Sequence, residues 1–248
     1  AVPLITLAGL TSRCFNVWFD QWTPTDTGTK IHIAWTEHRS GTGYRRYVSL
    51  DTATDTISAI VEITSYAASA VSDTTASAII TKSIGGNLYA LFEANDANQG
   101  NIWFYRSVNG GSTWVLKSIV NLIESSPHNP YLLLPGNEVD TQDVYAFYGG
   151  SGYLYSYDDS ADSWSRVLVE SGGSITGAVR HSDKHSIIAY KVPVGGNFTL
   201  KVIDVSTALT YTTKTNVYTN EANHPATHGV SILIAPNSDI YVAYIGMA

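Results

Sequence analysis

The chain has 248 residues, a formal net charge of −7 and only 14% charged residues, with 20 Gly and 16 Tyr. It is long enough to bury a sizeable core, and its acidic balance is the opposite of the basic surface that a nucleic-acid binder carries. The polar surface is mostly uncharged, with Thr and Tyr for strands and Gly, Asn and Ser for turns, which points to an all-β protein of extracellular or virion type.

The first segment, Ala1-Val2-Pro3-Leu4-Ile5-Thr6-Leu7-Ala8, lacks the basic start of a signal peptide. No run along the chain reaches membrane-span length, so no membrane insertion is expected. Pro3 to Leu10 reads as a strand. The single cysteine, Cys14, excludes an intramolecular disulfide and sits in the apolar run Cys14-Phe15-Asn16-Val17-Trp18-Phe19. A buried thiol is the expectation there.

From this point a three-part pattern recurs. A short apolar run centred on a small residue appears as His32-Ile33-Ala34-Trp35, Leu88-Tyr89-Ala90-Leu91, Val144-Tyr145-Ala146-Phe147, Ile187-Ile188-Ala189-Tyr190 and Ile240-Tyr241-Val242-Ala243. The spacing is roughly the 40–50-residue length of a four-stranded propeller blade. These runs are apolar on consecutive residues, as in strands covered on both faces.

An apolar strand precedes each run: Phe15 to Phe19, Ala78 to Ile80, Tyr131 to Leu134, Ile175 to Val179 and Val230 to Ile234. A strand and a polar turn follow each of the first four. The expected outer strands are Ser58 to Thr64, Val115 to Leu122, Arg166 to Glu170 and Tyr211 to Tyr218. Units therefore fall near 15–65, 76–123, 128–171, 173–219 and 226–245 plus 1–12. The fifth unit has only two strands when the chain ends, and the N-terminal strand is expected to complete it, which removes the open sheet edges. The reading is all-β: one domain over 1–248, a five-bladed β-propeller of four-stranded antiparallel blades with the last blade completed by the N-terminal strand.

One turn is unusually well specified. Ser107-Val108-Asn109-Gly110-Gly111-Ser112-Thr113-Trp114 places Asn-Gly-Gly between Ile102-Trp103-Phe104-Tyr105 and Val115-Leu116. Gly and Asn accept the positive φ that a tight hairpin needs. The pattern Ser-x-Asn-x-Gly-x-Thr-Trp resembles the Asp box (bacterial neuraminidase repeat) of the sialidase-like β-propeller superfamily, with Asn109 in place of the usual Asp. Asp159, Ala161, Ser163 and Trp164 match it as a degenerate copy. The resemblance implies a propeller in which these hairpins lie at the blade periphery, with Trp114 and Trp164 as packing anchors. It also implies a site at the central face. The arginine trio of a sialidase is not evident, and five units differ from that enzyme's six blades.

Glycoside hydrolysis needs paired carboxylates. The central face is expected to collect Asp20, Glu37, Glu93 and Asp96, with Glu37 and Glu93 in equivalent positions. A lyase would instead use a His with a Tyr, for which His128 and His224 stand in matching Pro-flanked segments. Trp22, Trp35, Arg39 and Tyr148 are the candidate ligand contacts, because aromatic faces stack on sugar rings and Tyr brings a hydroxyl at low entropic cost. No H-E-x-x-H or Cys/His spacing and no Gly-rich phosphate loop is present, so neither metal nor cofactor is expected. The functional expectation is a carbohydrate-binding or structural recognition propeller of a virion, phage fibre or secreted bacterial protein. Its partners would be a glycan or cell-surface polysaccharide and other structural chains. The alternative is a glycan-active hydrolase or lyase.

Overall fold

The computed structural model describes residues 11–39, 41–67, 78–93, 102–117, 131–136, 143–148, 152–169, 173–194, 197–206, 211–222, 230–235 and 237–244. The expected N-terminal strand, Pro3 to Leu10, lies outside them. The described residues are almost entirely strand, and their only helical element is one 3-10 turn at Asp20–Trp22.

The strands form antiparallel sheets whose spatial order follows the sequence. The first sheet contains β1 (Thr11–Phe19), β2 (Lys30–Arg39), β3 (Thr42–Asp51), β4 (Thr56–Ile57) and β5 (Val61–Ala67). Here β4 and β5 share the outer edge of β3, pairing with its two ends in turn. Ser58 bridges the break: its N–H donates to the Ser49 carbonyl and its Oγ accepts from the Ser49 N–H, both at 2.9 Å. The second sheet contains β6 (Ala78–Lys82), β7 (Leu88–Glu93), β8 (Ile102–Ser107) and β9 (Val115–Leu116).

The third sheet contains β10 (Tyr131–Pro135), β11 (Val144–Tyr148), β12 (Tyr153–Asp158) and β13 (Ser163–Leu168). The fourth contains β14 (Gly173–Val179), β15 (Ser186–Val194), β16 (Asn197–Val205) and β17 (Tyr211–Ala222). The last described pair is β18 (Val230–Ile234) with β19 (Ile240–Tyr244). Each strand expected from the apolar runs is therefore present where it is described.

By their contacts the residues fall into two compact units: 1–21, 26–82 and 86–127 in one, and 22–25, 83–85 and 128–248 in the other. In the first unit, β1 packs beside β6, the first strand of the next sheet. The Asn16 side chain reaches across and accepts the Ile80 N–H at 3.1 Å. In the second unit, β14 packs beside both β10 and β18. Gly177 permits the approach: a Cβ there would stand 2.6 Å from Leu132 Cδ2. Ile187, Ala189 and Val202 bury one face of the fourth sheet against Val230, Ile232, Ile234, Ile240 and Val242 of β18 and β19.

The second strand of each complete sheet is the most enclosed. Leu88, Tyr89, Ala90, Leu91 and Phe92 are all fully buried, as are Ile187, Ile188 and Ala189. This is why these runs are apolar without alternation: neighbours cover both faces of the strand.

Candidate functional site

Antiparallel pairing of β1 with β2 sets the main polar cluster of the first unit. The end of β1 meets the start of β2, so Trp18 lies opposite His32 and Phe19 opposite Ile31. Asp20 follows at once, opening the 3-10 turn and 3% exposed. One carboxylate oxygen, Oδ1, receives His32 Nε2 at 2.8 Å and Lys82 Nζ at 2.6 Å. The other accepts the Lys30 N–H at 3.0 Å. Gly28 has no room for a side chain, because a Cβ would stand 2.2 Å from Asp20 Oδ2. Lys82 also pairs with Asp26 at 2.7 Å.

Burial by itself would raise the Asp20 pKa, but bonds from His32, Lys82 and Lys30 reverse that and hold it far below the usual carboxylate range. Burial likewise works against the Lys82 ammonium, and its two carboxylates overcome it and raise its pKa. A carboxylate held ionised in this way is a fixed charge. It is not a general acid, which needs a raised pKa.

The cluster continues into β3. His32 Nδ1 lies 2.7 Å from the Tyr47 hydroxyl, which donates to the Gly110 carbonyl at 3.2 Å. Tyr47 is thus a buried link between Asp20–His32 and the 107–114 hairpin. Burial, with the nearby charge of Asp20, pushes its pKa up to about 12.

The hairpin closes on its own side chains. Asn109 Oδ1 accepts from Ser107 Oγ at 3.0 Å and from the Thr113 N–H at 2.9 Å. Asn109 Nδ2 donates to Thr113 Oγ1 at 2.9 Å, and Ser107 Oγ accepts the Gly111 N–H at 2.9 Å. Trp114 donates its indole N–H to the Gly111 carbonyl at 3.0 Å and meets Tyr47 edge-on, with ring centroids 5.3 Å apart. Trp114 is therefore a packing anchor. Trp164 does similar work in the third sheet, 4.9 Å from the Tyr157 ring.

Glu37 lies near the opposite end of β2, paired in register with Tyr44. It is 2% exposed, accepts the Trp35 indole N–H at 3.2 Å and pairs with Arg46 at 3.3 Å. Arg45, also buried, lies 4.6 Å from the Tyr66 ring centroid and 5.3 Å from that of Trp103. The structure does not bring Asp20 and Glu37 together. Glu37 lies five residues along β2 from His32, roughly 16 Å at strand rise. The expectation of a shared face fails because Asp20 ends the first strand, whereas Glu37 ends the second.

Trp35 requires a second correction. It is 3% exposed, so its ring belongs to the core and cannot stack on a ligand. Trp22 is the reverse, 48% exposed on the turn that Asp20 opens. Glu93, Arg39 and Tyr148 end or nearly end described strands, but their side chains lie outside the described residues, as do Asp96, His128 and His224 entirely.

In the second unit the tight β14–β15 connection builds another cluster. Arg180 donates through Nε to Asp183 at 2.9 Å and through Nη2 to Asp204 Oδ2 at 2.9 Å. His185 Nδ1 meets Asp204 Oδ1 at 2.6 Å. Burial would raise the Asp204 pKa, but His185 and Arg180 hold it below the ordinary value. Arg180 is thus engaged in ion pairing within its own sheet. Neither Asp183 nor Asp204 stands out in the sequence as a site residue; the available signal is an Arg-x-x-Asp-x-His loop with an aspartate near the end of β16, two strands on. Among the described residues, no group of three or more His, Cys, Asp or Glu is placed to hold a metal ion.

No family model matches the chain, and no curated protein matches it. Among solved structures, the chain is similar to a luciferin-regenerating enzyme, with a TM-score of 0.46 and 13% sequence identity over 94% of this chain and 83% of that one.

Proposed function

We propose that this chain is a carbohydrate-binding recognition module of a virion, phage fibre or secreted bacterial protein. It is built as a single five-bladed β-propeller of Asp-box type, with the last blade completed by residues 3–10. The sheet order and the side-by-side packing of first strands within each unit support the propeller reading. The observation that carries the function is Trp22. About half of its surface is open, and it closes a turn whose first residue, Asp20, is fixed by three hydrogen bonds. An aromatic face open to solvent can stack on a sugar ring, and tryptophan has only two side-chain torsions to order in doing so.

The described carboxylate clusters favour binding over turnover. Asp20 and Asp204 are each held ionised by two basic side chains, and Glu37 is occupied by Trp35 and Arg46. A glycan array read in parallel with a release assay on the same polysaccharides tests the proposal. Retention without product, lost in Trp22→Ala, is the expected result. Turnover lost in Glu37→Ala or His128→Ala would replace it with the glycan-active enzyme.

A further inference from the structure

We propose that Asn109 is a self-modification site, converted to aspartate within the folded hairpin. Asn109-Gly110 is the one Asn-Gly pair in the sequence, and both residues are exposed. Glycine has no side chain to shield its nitrogen, and Gly110 sits at φ +67 with nothing within 4 Å of a would-be Cβ. The Gly110 nitrogen, giving its proton to water, attacks Asn109 Cγ. The N–Cγ bond forms, the Cγ–Nδ2 bond breaks, and Nδ2 takes up a proton and leaves as ammonia. Water then opens the five-membered imide. Attack at Cγ leaves a normal aspartate; attack at the Asn109 backbone carbonyl leaves isoaspartate.

Two features of the hairpin bear on this chemistry. The negative charge of the first step develops on Oδ1, where the Ser107 hydroxyl and the Thr113 N–H already donate at 3.0 and 2.9 Å. Donors aimed at a developing oxyanion stabilise it. The product also fits better than the reactant. Thr113 Oγ1 accepts from Nδ2 at 2.9 Å; facing a carboxylate it rotates and donates, giving three donors to one charge. Isoaspartate would lengthen the backbone inside a turn whose Gly111 N–H is held by Ser107 and whose Gly110 carbonyl is held by Tyr47. The hairpin therefore directs ring opening to aspartate.

The test is to incubate the folded protein and its urea-denatured form in mildly alkaline buffer and map the peptide spanning 107–114 by mass. Isoaspartate is counted by enzymatic methyl labelling. The folded protein should gain the mass of exchanging NH2 for OH at Asn109, with aspartate in excess. The denatured chain should give isoaspartate in excess. Thr113→Val, which keeps the backbone donor, should shift the folded product toward isoaspartate, and Asn109→Asp should melt no lower than the parent. An Asn109 that stays amide in the folded protein while the denatured chain converts overturns the proposal. Isoaspartate in excess in the folded form, or a destabilised Asn109→Asp, does so equally.

Discussion

Tyr47 occupies the space where Gly111 would carry a side chain: a Cβ on Gly111 would stand 2.0 Å from Tyr47 Cε1. The hairpin of the second sheet is thereby docked on a ring of the first, within one unit. Gly111→Ala meets two penalties, the clash and a φ of +91, together about 3 kcal/mol. Gly110→Ala keeps the positive φ but meets no neighbour, and about 1 kcal/mol is expected. Urea unfolding of both variants measures the difference. Equal losses would mean that Tyr47 yields and the docking is loose.

The Tyr47 hydroxyl joins His32 to the Gly110 carbonyl, so Tyr47→Phe leaves the buried His32 Nδ1 short of a partner and costs about 1–3 kcal/mol. Its ionisation adds a signature at high pH. The folded pKa is pushed up to about 12 from an ordinary 10.0. A group raised in this way contributes stability that is complete below the unfolded value and is lost as pH climbs through the folded one. The parent should therefore lose stability between those two values more steeply than Tyr47→Phe. Coincident slopes for the two proteins would remove Tyr47 from the account.

Asp20 works at the other end of the scale. Its folded pKa is depressed, so its contribution is present above the ordinary carboxylate value and drains away as pH falls below it. Asp20→Asn leaves the buried His32 facing an amide and Lys82 with Asp26 as its remaining carboxylate, a loss of about 2–3 kcal/mol at neutral pH. The variant's stability should also change less with acidification than the parent's. A double-mutant cycle with Lys82→Met reports whether the pair couples directly, and zero coupling would contradict the 2.6 Å contact.

The strands were legible because enclosure leaves a mark on sequence: Leu88 to Phe92 is apolar at every step since both of its faces are covered. The hairpin was legible because Asn109, Gly110 and Gly111 are local turn chemistry. The Asp20 cluster was not. Its members, Asp20, His32, Tyr47 and Lys82, are up to 62 residues apart and meet only through strand register and the docking of β6 beside β1. Asp20 and Glu37 lie at opposite ends of their sheet, which the sequence does not reveal, since a residue after a strand does not announce which neighbour will face it. Trp35 is ambiguous in sequence for a related reason. Its type fits a sugar platform and a core plug equally, and only packing separates the two.

That separation gives a paired test of the two tryptophans. Trp35 is buried and bonded to Glu37, so Trp35→Ala opens a cavity and strips a donor from a buried carboxylate; a loss of about 3–5 kcal/mol is expected. Trp22 is half open, and Trp22→Ala should move stability by only about 0.5 kcal/mol. Its effect should fall on ligand. If Trp22 is a stacking plane, its removal weakens glycan affinity by about tenfold or more, the size of a modest hot spot. The two measurements, unfolding in urea and binding to whichever array glycan the parent retains, should then separate cleanly. A Trp22→Ala protein that unfolds like the parent and still binds with parental affinity would take the ligand away from this turn.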